Sequence, residues 1–174
     1  MKYLMIAKSE LIIKYQHEMI DIIEKSVADN PFEEGHTWAY NKYNFFGMVS
    51  ATPLFYDLYC ELKDVVWDYV GGHKRLWMQS WLNYHMPGEV LKWHTHEWPI
   101  HGYISIRPHK TRTVFEDHKV INEVGNIYIG PGHQYHKVEV DEDFDTPRST
   151  IGFDLLTEDC YHLNTNLGLM PFPR

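Results

Sequence analysis

Basic residues are scarce in this chain. Sixteen lysines and arginines face 24 aspartates and glutamates, a formal net charge of −8 over 174 residues. With no basic excess to displace counterions from a phosphate backbone, no nucleic-acid partner is expected. A local cluster of His109, Lys110 and Arg112 reads as a solvated hairpin tip. Cysteine is almost absent. Cys60 and Cys160 stand a hundred positions apart in no metal-type spacing, and read as thiols in a reducing compartment, with a mutual disulfide as the alternative. No apolar run approaches membrane-spanning length, and the opening MKYLMIAKSE lacks the small-residue cleavage site of a signal peptide. A soluble, cytoplasmic protein without a membrane partner is therefore expected. There is no internal repeat and no low-complexity linker. The length suits a single domain over 1–174.

What the chain does have is histidine, twelve in all, together with 44% hydrophobic and 15% aromatic residues. Residues 1–75 read as the helical part. Ile12, Tyr15, Met19, Ile22, Ile23 and Val27 recur at helical spacing behind a Ser9 cap. A second helix is expected to open at Thr52-Pro53, to carry Leu54, Leu58, Leu62, Val65 and Tyr69, and to end at Gly71-Gly72. From residue 76 to 157 short segments rich in Trp, Tyr, Ile and Val alternate with MPGE, RPHK, EVGN and GPGH. About eight strands at that spacing indicate a sandwich or barrel of jelly-roll type. Residues 158–174 read as an irregular tail. The class is α+β, mainly β, with the N-terminal helices supporting a β-core.

Position makes the histidines informative. His94 and His96 in WHTHEWPIH are spaced i, i+2, which puts both imidazoles on one face of a strand. GNIYIGPGHQYHKVEV offers His133 and His136 as a third ligand, with a Gly-Pro turn leading into a strand that begins at His136. Three neutral imidazoles would bind a borderline divalent cation and leave positions open. Each alone is more ordinary as a strand histidine donating to a carbonyl. Twelve positions on from His136, TPRSTIGFDLL reads as a closing strand whose Arg148, Thr150 and Gly152 share a face. A guanidinium turned inward cannot shed its charge, so it calls for a carboxylate bound through two hydrogen bonds. The plainer reading pairs Arg148 with the acidic run from Glu139 to Asp145.

At these residues the chain resembles the Fe(II)- and 2-oxoglutarate-dependent oxygenases, especially small prolyl-hydroxylase-like and phage-encoded members. Tyr84, Pro87, Gly88 and His94 in NYHMPGEVLKWHTH match the first part of that pattern, TRTVFED the strand that follows, Gly125 and His136 the distal-histidine strand, and Arg148 and Thr150 its close. The likeness spans about residues 77 to 156. It implies a double-stranded β-helix, Fe(II) held by His94 and His136, and 2-oxoglutarate held by Tyr84, Arg148 and Thr150. It further implies O2 as co-reactant and hydroxylation of a peptide or small molecule. The departure is His96, which stands where the family places Asp or Glu; it is taken as the third ligand.

Cupins share the barrel, and GEVLKWHTH with GNIYIGPGHQYH fits much of their pattern. Their acid is missing, with Ile100 and His101 in its place, and His133 replaces a glycine. A three-histidine cupin-type dioxygenase, a zinc hydratase or hydrolase, and a non-catalytic ligand-binding barrel are the alternatives. Arg148-x-Thr150, which a cupin does not need, favours the 2-oxoglutarate reading. Trp77, Trp81, Trp93 and Trp98 read as core and rim packing, with Trp93 or Trp98 as a substrate wall in the alternative.

Overall fold

The computed structural model describes residues 3–29, 37–38, 43–73, 75–157 and 168–172. Cys160 lies outside them; Cys60 is a half-buried free thiol. Three helices, α1 (Glu10–Asp29), α2 (Phe45–Val49) and α3 (Pro53–Val70), precede most of the strands. The strands are β1 (Met5–Lys8), β2 (Thr37–Trp38), β3 (Leu76–His85), β4 (Ile100–Arg107), β5 (Thr111–Phe115), β6 (Lys119–Ile121), β7 (Asn126–Pro131), β8 (His136–Val140), β9 (Arg148–Thr157) and β10 (Met170–Phe172). Three of them, β1, β2 and β10, fall in the segments whose sequence pattern suggested helix or irregular tail.

The strands form two antiparallel sheets. The larger runs β1-β7-β4-β9-β3-β10, with β2 beside β3, and the smaller runs β6-β5-β8. Residues 91–96 border β8 as an irregular further partner: Val138 N–H donates to Leu91 O (3.0 Å), and His94 and His136 exchange both backbone bonds (2.9 Å each). Counting this segment, β3 through β9 supply the eight strands of a double-stranded β-helix. No described helix is long and apolar enough to cross a membrane.

The helices cover one face of the larger sheet. Ser9 caps α1 through Oγ, which accepts from Ile12 N–H (3.2 Å). Ile12, Met19 and Ile23 are buried, whereas Tyr15 leaves helical geometry (φ −119°, ψ 28°) and kinks the helix. In α3, Thr52 stands at the cap, Pro53 at the first turn, and Gly71 ends the helix in the left-handed region (φ 77°). The α3 stripe is Phe55, Leu58, Tyr59, Leu62, Val66, Tyr69 and Val70, one position rotated from the expected Leu54 and Val65. These side chains join Leu76, Met78 and Leu82 of β3, Ile100 and Ile104 of β4, and Ile151, Phe153 and Leu155 of β9 in one core. Alternation then turns the intervening residues of the same strands into the barrel, where they build the site.

Candidate metal centre

Four histidines and one aspartate meet inside the barrel. The 91–96 segment delivers His94 and His96, β4 delivers His101, β8 delivers His136, and β9 delivers Asp154. One potential ligand atom from each of His94, His96 and His136 lies within 4.8 Å of the other two. The expected regular strand at His94–His96 is reduced to a single bridge with His136. The chain is held close here: His96 N–H donates to Gly132 O (2.9 Å) and Gly132 N–H to Pro99 O (3.2 Å). A Cβ on Gly132 would sit 1.9 Å from the Trp98 carbonyl oxygen, so this approach requires glycine.

Each of the three rings has its Nδ1 engaged by an acceptor. His94 Nδ1–H donates to Lys92 O (2.7 Å), His136 Nδ1–H to Gln134 O (2.9 Å), and His96 Nδ1–H to Asp154 Oδ2 (3.1 Å). A carbonyl or carboxylate can only accept, so Nδ1 carries a proton in each ring, and in the neutral form Nε2 keeps its lone pair. This is the outer arrangement that metal-binding histidines ordinarily have. His96 Nε2 is buried with no hydrogen-bond partner among the described residues, an orphan that a cation would satisfy. Burial lowers the pKa of His94 and pushes His136 down to about 2, so both stay neutral and able to ligate. The donor set therefore fits a divalent metal. His133 is exposed and does not belong to the cluster or line its cavity.

His101 and Asp154 complete a second layer that the sequence reading did not single out. His101 Nδ1–H donates to Asp154 Oδ1 (2.9 Å), and its ring stacks on His96 at 3.7 Å with 14° between planes. Burial, then the neighbouring His96, pulls His101 down to about 4. For Asp154 burial acts upward, yet the hydrogen bonds from His101 and His96 hold its carboxyl below the ordinary value. Glu97, Glu116 and Asp117 are all exposed. Asp154 was nonetheless legible: it continues the i, i+2 series of Arg148, Thr150 and Gly152, and an acid inside GFDLL has to be explained.

The cluster opens into a cavity of about 330 Å³ also lined by Trp81, Asn83, Leu91, Tyr103, Thr113, Val138, Arg148 and Thr150. Arg148 is 2% exposed, and its Nε and Nη1 find no hydrogen-bond partner among the described residues. Burial lowers its pKa to about 10, so it remains charged. The acidic run does not neutralise it, because Arg112 takes Glu139 (2.9 Å) and also pairs with Asp141. Thr150 Oγ1 accepts from Asn83 Nδ2 (3.3 Å), leaving its own hydroxyl hydrogen to donate. Burial pushes the Tyr103 phenol well up, keeping it a neutral donor beside Arg148.

Tyr84 is not brought to this cavity. Trp81 and Asn83 face inward from β3, so Tyr84 has the opposite phase and packs against the helix-covered core. The tryptophans divide differently from expectation. Trp81 lies in the cavity wall, roughly parallel to His96 (5.7 Å, 21°) and His101 (6.1 Å, 22°), over Gly152, where a Cβ would come within 2.4 Å of the indole. Trp93 is exposed outside the cavity, stacked on Tyr135 at 5.5 Å.

Fold and site thus define a double-stranded β-helix holding a three-histidine cluster and a buried arginine, uncompensated among the described residues, in one cavity. No family model matches the chain, and no curated protein matches its sequence. Solved structures do match. The non-heme alpha-ketoglutarate-dependent carbocyclase SnoK from nogalamycin biosynthesis superposes with a TM-score of 0.66 at 10% identity, covering 97% of this chain and 89% of that one. HygX from Streptomyces hygroscopicus, with nickel and 2-oxoglutarate bound, gives 0.62 at 10% identity over 90% and 83% of the two chains. The non-heme alpha-ketoglutarate-dependent epimerase SnoN from nogalamycin biosynthesis gives 0.54 at 8% identity over 89% and 76%. At such identities the likeness is one of fold.

Proposed function

We propose that this protein is an Fe(II)- and 2-oxoglutarate-dependent oxygenase, a hydroxylase of a peptide or small molecule. The observation that carries the reading is Arg148, a buried guanidinium without a carboxylate among the described residues, in the same cavity as the histidine cluster. Burying such a charge unpaired is costly unless an anion joins it in use. His94, His96 and His136 would hold the metal through Nε2. Arg148 would take the far carboxylate of the cosubstrate through two parallel hydrogen bonds, with Thr150 donating beside it. Leu91, Val138 and Trp81 form the apolar wall that keeps water from the reacting end. When bound, iron and cosubstrate together supply the oxidising chemistry, and the chain's own part is to orient and to exclude.

The test is calorimetric titration of 2-oxoglutarate into the Ni(II)-loaded protein. Charge-assisted hydrogen bonds of about 1.5–3 kcal/mol each make Arg148→Ala at least ~100-fold weaker, at 1.4 kcal/mol per tenfold. Equal binding by both would sink the assignment of Arg148. If the wild type holds metal but ignores 2-oxoglutarate, the three-histidine cupin-type dioxygenase becomes the better reading, since it has no use for Arg148. A wild type that holds neither is a ligand-binding barrel.

A further inference from the structure

We infer that Asp154 is this site's carboxylate moved one layer outward: a positioning residue that fixes His96 as an Nε2 ligand and supplies the negative charge that a direct carboxylate ligand would bring. The inference rests on the metal reading above. Asp154 is fully buried and accepts from His96 and His101 through separate oxygens, at 3.1 and 2.9 Å. Among the described residues no lysine or arginine pairs with it; its hydrogen-bond partners are these two imidazoles. A buried carboxylate with no lysine or arginine beside it favours a permanent positive charge nearby, and a divalent cation on the far side of His96 would provide one.

Two N–H donors also demand two acceptors. A carboxylate offers both, whereas an amide must turn its NH2 toward one ring. That ring then has to move its proton from Nδ1 to Nε2, and if it is His96 the ligand lone pair is gone. The same geometry bears on the residue at 96. His96→Asp would place a second carboxylate in the buried layer that Asp154 already occupies, where two like charges oppose ionisation.

The experiment is Ni(II) affinity by competition with a chromophoric chelator, alongside thermal melting of the metal-free protein. Asp154→Asn is expected to weaken Ni(II) binding 10- to 100-fold, the usual scale for outer-layer partners of metal-bound histidines. Adding His101→Phe frees the amide oxygen for His96 and is expected to recover part of that loss, which a merely structural aspartate would not do. Equal weakening with and without His101→Phe would overturn the tautomer role. A folded Asp154→Asn protein with wild-type affinity would overturn the inference outright and leave the metal reading standing. A wild type that binds no Ni(II) would overturn both. Should Asp154→Asn not fold, His96→Asp decides: adding Asp154→Asn to it should tighten Ni(II) binding and raise the melting temperature, and a fall in both refutes the relocated carboxylate.

Discussion

The two faces of β9 are built on opposite terms. Ser149, Ile151, Phe153 and Leu155 face the helix-covered side of the sheet, where the last three join the large apolar core. Arg148, Thr150, Gly152 and Asp154 alternate with them and face the cavity or its wall. Both faces are buried, so exposure does not separate them. What separates them is the chemistry gathered on each. Ile151, Phe153 and Leu155 are apolar and satisfied by packing, with only the Ser149 hydroxyl lacking a partner beside them, whereas the cavity face carries a guanidinium and a carboxylate, and Arg148 keeps two buried polar atoms without partners among the described residues. The core face holds the fold, and the cavity face carries most of the strand's buried charge.

The largest expected effect comes from the core face. Phe153→Ala removes a fully buried ring and should cost about 3–5 kcal/mol in a denaturant melt, while 2-oxoglutarate affinity below the transition stays within a few-fold. Comparable loss of affinity and stability would mean that the two faces are coupled.

Acid strikes the cavity face next. Burial holds His101 at about 4 and His136 at about 2, against 6.5 for an unperturbed histidine. The unfolded chain therefore takes up protons first, and stability of the metal-free protein falls as pH drops below 6.5. His101 alone contributes a loss on the order of 3 kcal/mol by pH 4. Asp154, held low, adds its own loss only below its ordinary value of 3.8. Melts at pH 7, 5.5 and 4.5 check this, and a flat profile would contradict neutral burial of these rings.

If the metal reading holds, His136→Ala should weaken Ni(II) binding about 100-fold or more, some 2.7 kcal/mol, since it removes the histidine that β8 brings to the cluster. His133→Ala, three residues earlier and exposed, should leave affinity unchanged. The reverse outcome would shift the assignment of this segment by three residues.

The smallest effect sharpens the comparison on a second strand. Tyr84 has the core phase of β3, so Tyr84→Phe should leave 2-oxoglutarate affinity unaltered. Asn83, one residue earlier, faces the cavity and holds Thr150 (3.3 Å). A tenfold loss on Tyr84→Phe would bring Tyr84 back to the cosubstrate.

Much of this could be read in advance, for local reasons. The caps at Ser9 and Thr52-Pro53, the left-handed glycine at 71, and the strand rhythm after residue 76 depend on nearest neighbours, and they indicated α1, α3 and the β-core, whereas the five-residue α2, capped by Asn44, fell in a stretch that read as loop. Spacing also indicated which side chains would meet: His94, His96 and His136 do cluster, and Arg148 and Thr150 line the same cavity. Tyr84 was misplaced because its motif match ignored the two-residue period of a strand, whereas Trp81 and Asn83 carry the cavity phase. β1, β2 and β10 escaped notice because they are short strands whose partners lie far away in the chain. They depend on edges of the larger sheet that local pattern does not reveal.

The order of chemistry along the chain was determined by sequence alone: a histidine pair, a glycine-proline turn into a third histidine, and an arginine with a threonine two places on. Only tertiary structure decided how these groups are charged and oriented. Asp154 lies 58 residues from His96 and 53 from His101, yet one carboxylate accepts from both. No spacing rule links such positions, because the link passes through the register of β9 against β4, which sets His101 opposite Asp154. Whether a histidine is a ligand or a surface residue, and whether an arginine is paired or waiting, follows from burial and from the direction of single hydrogen bonds. Those exist only once the two sheets have closed around the cavity.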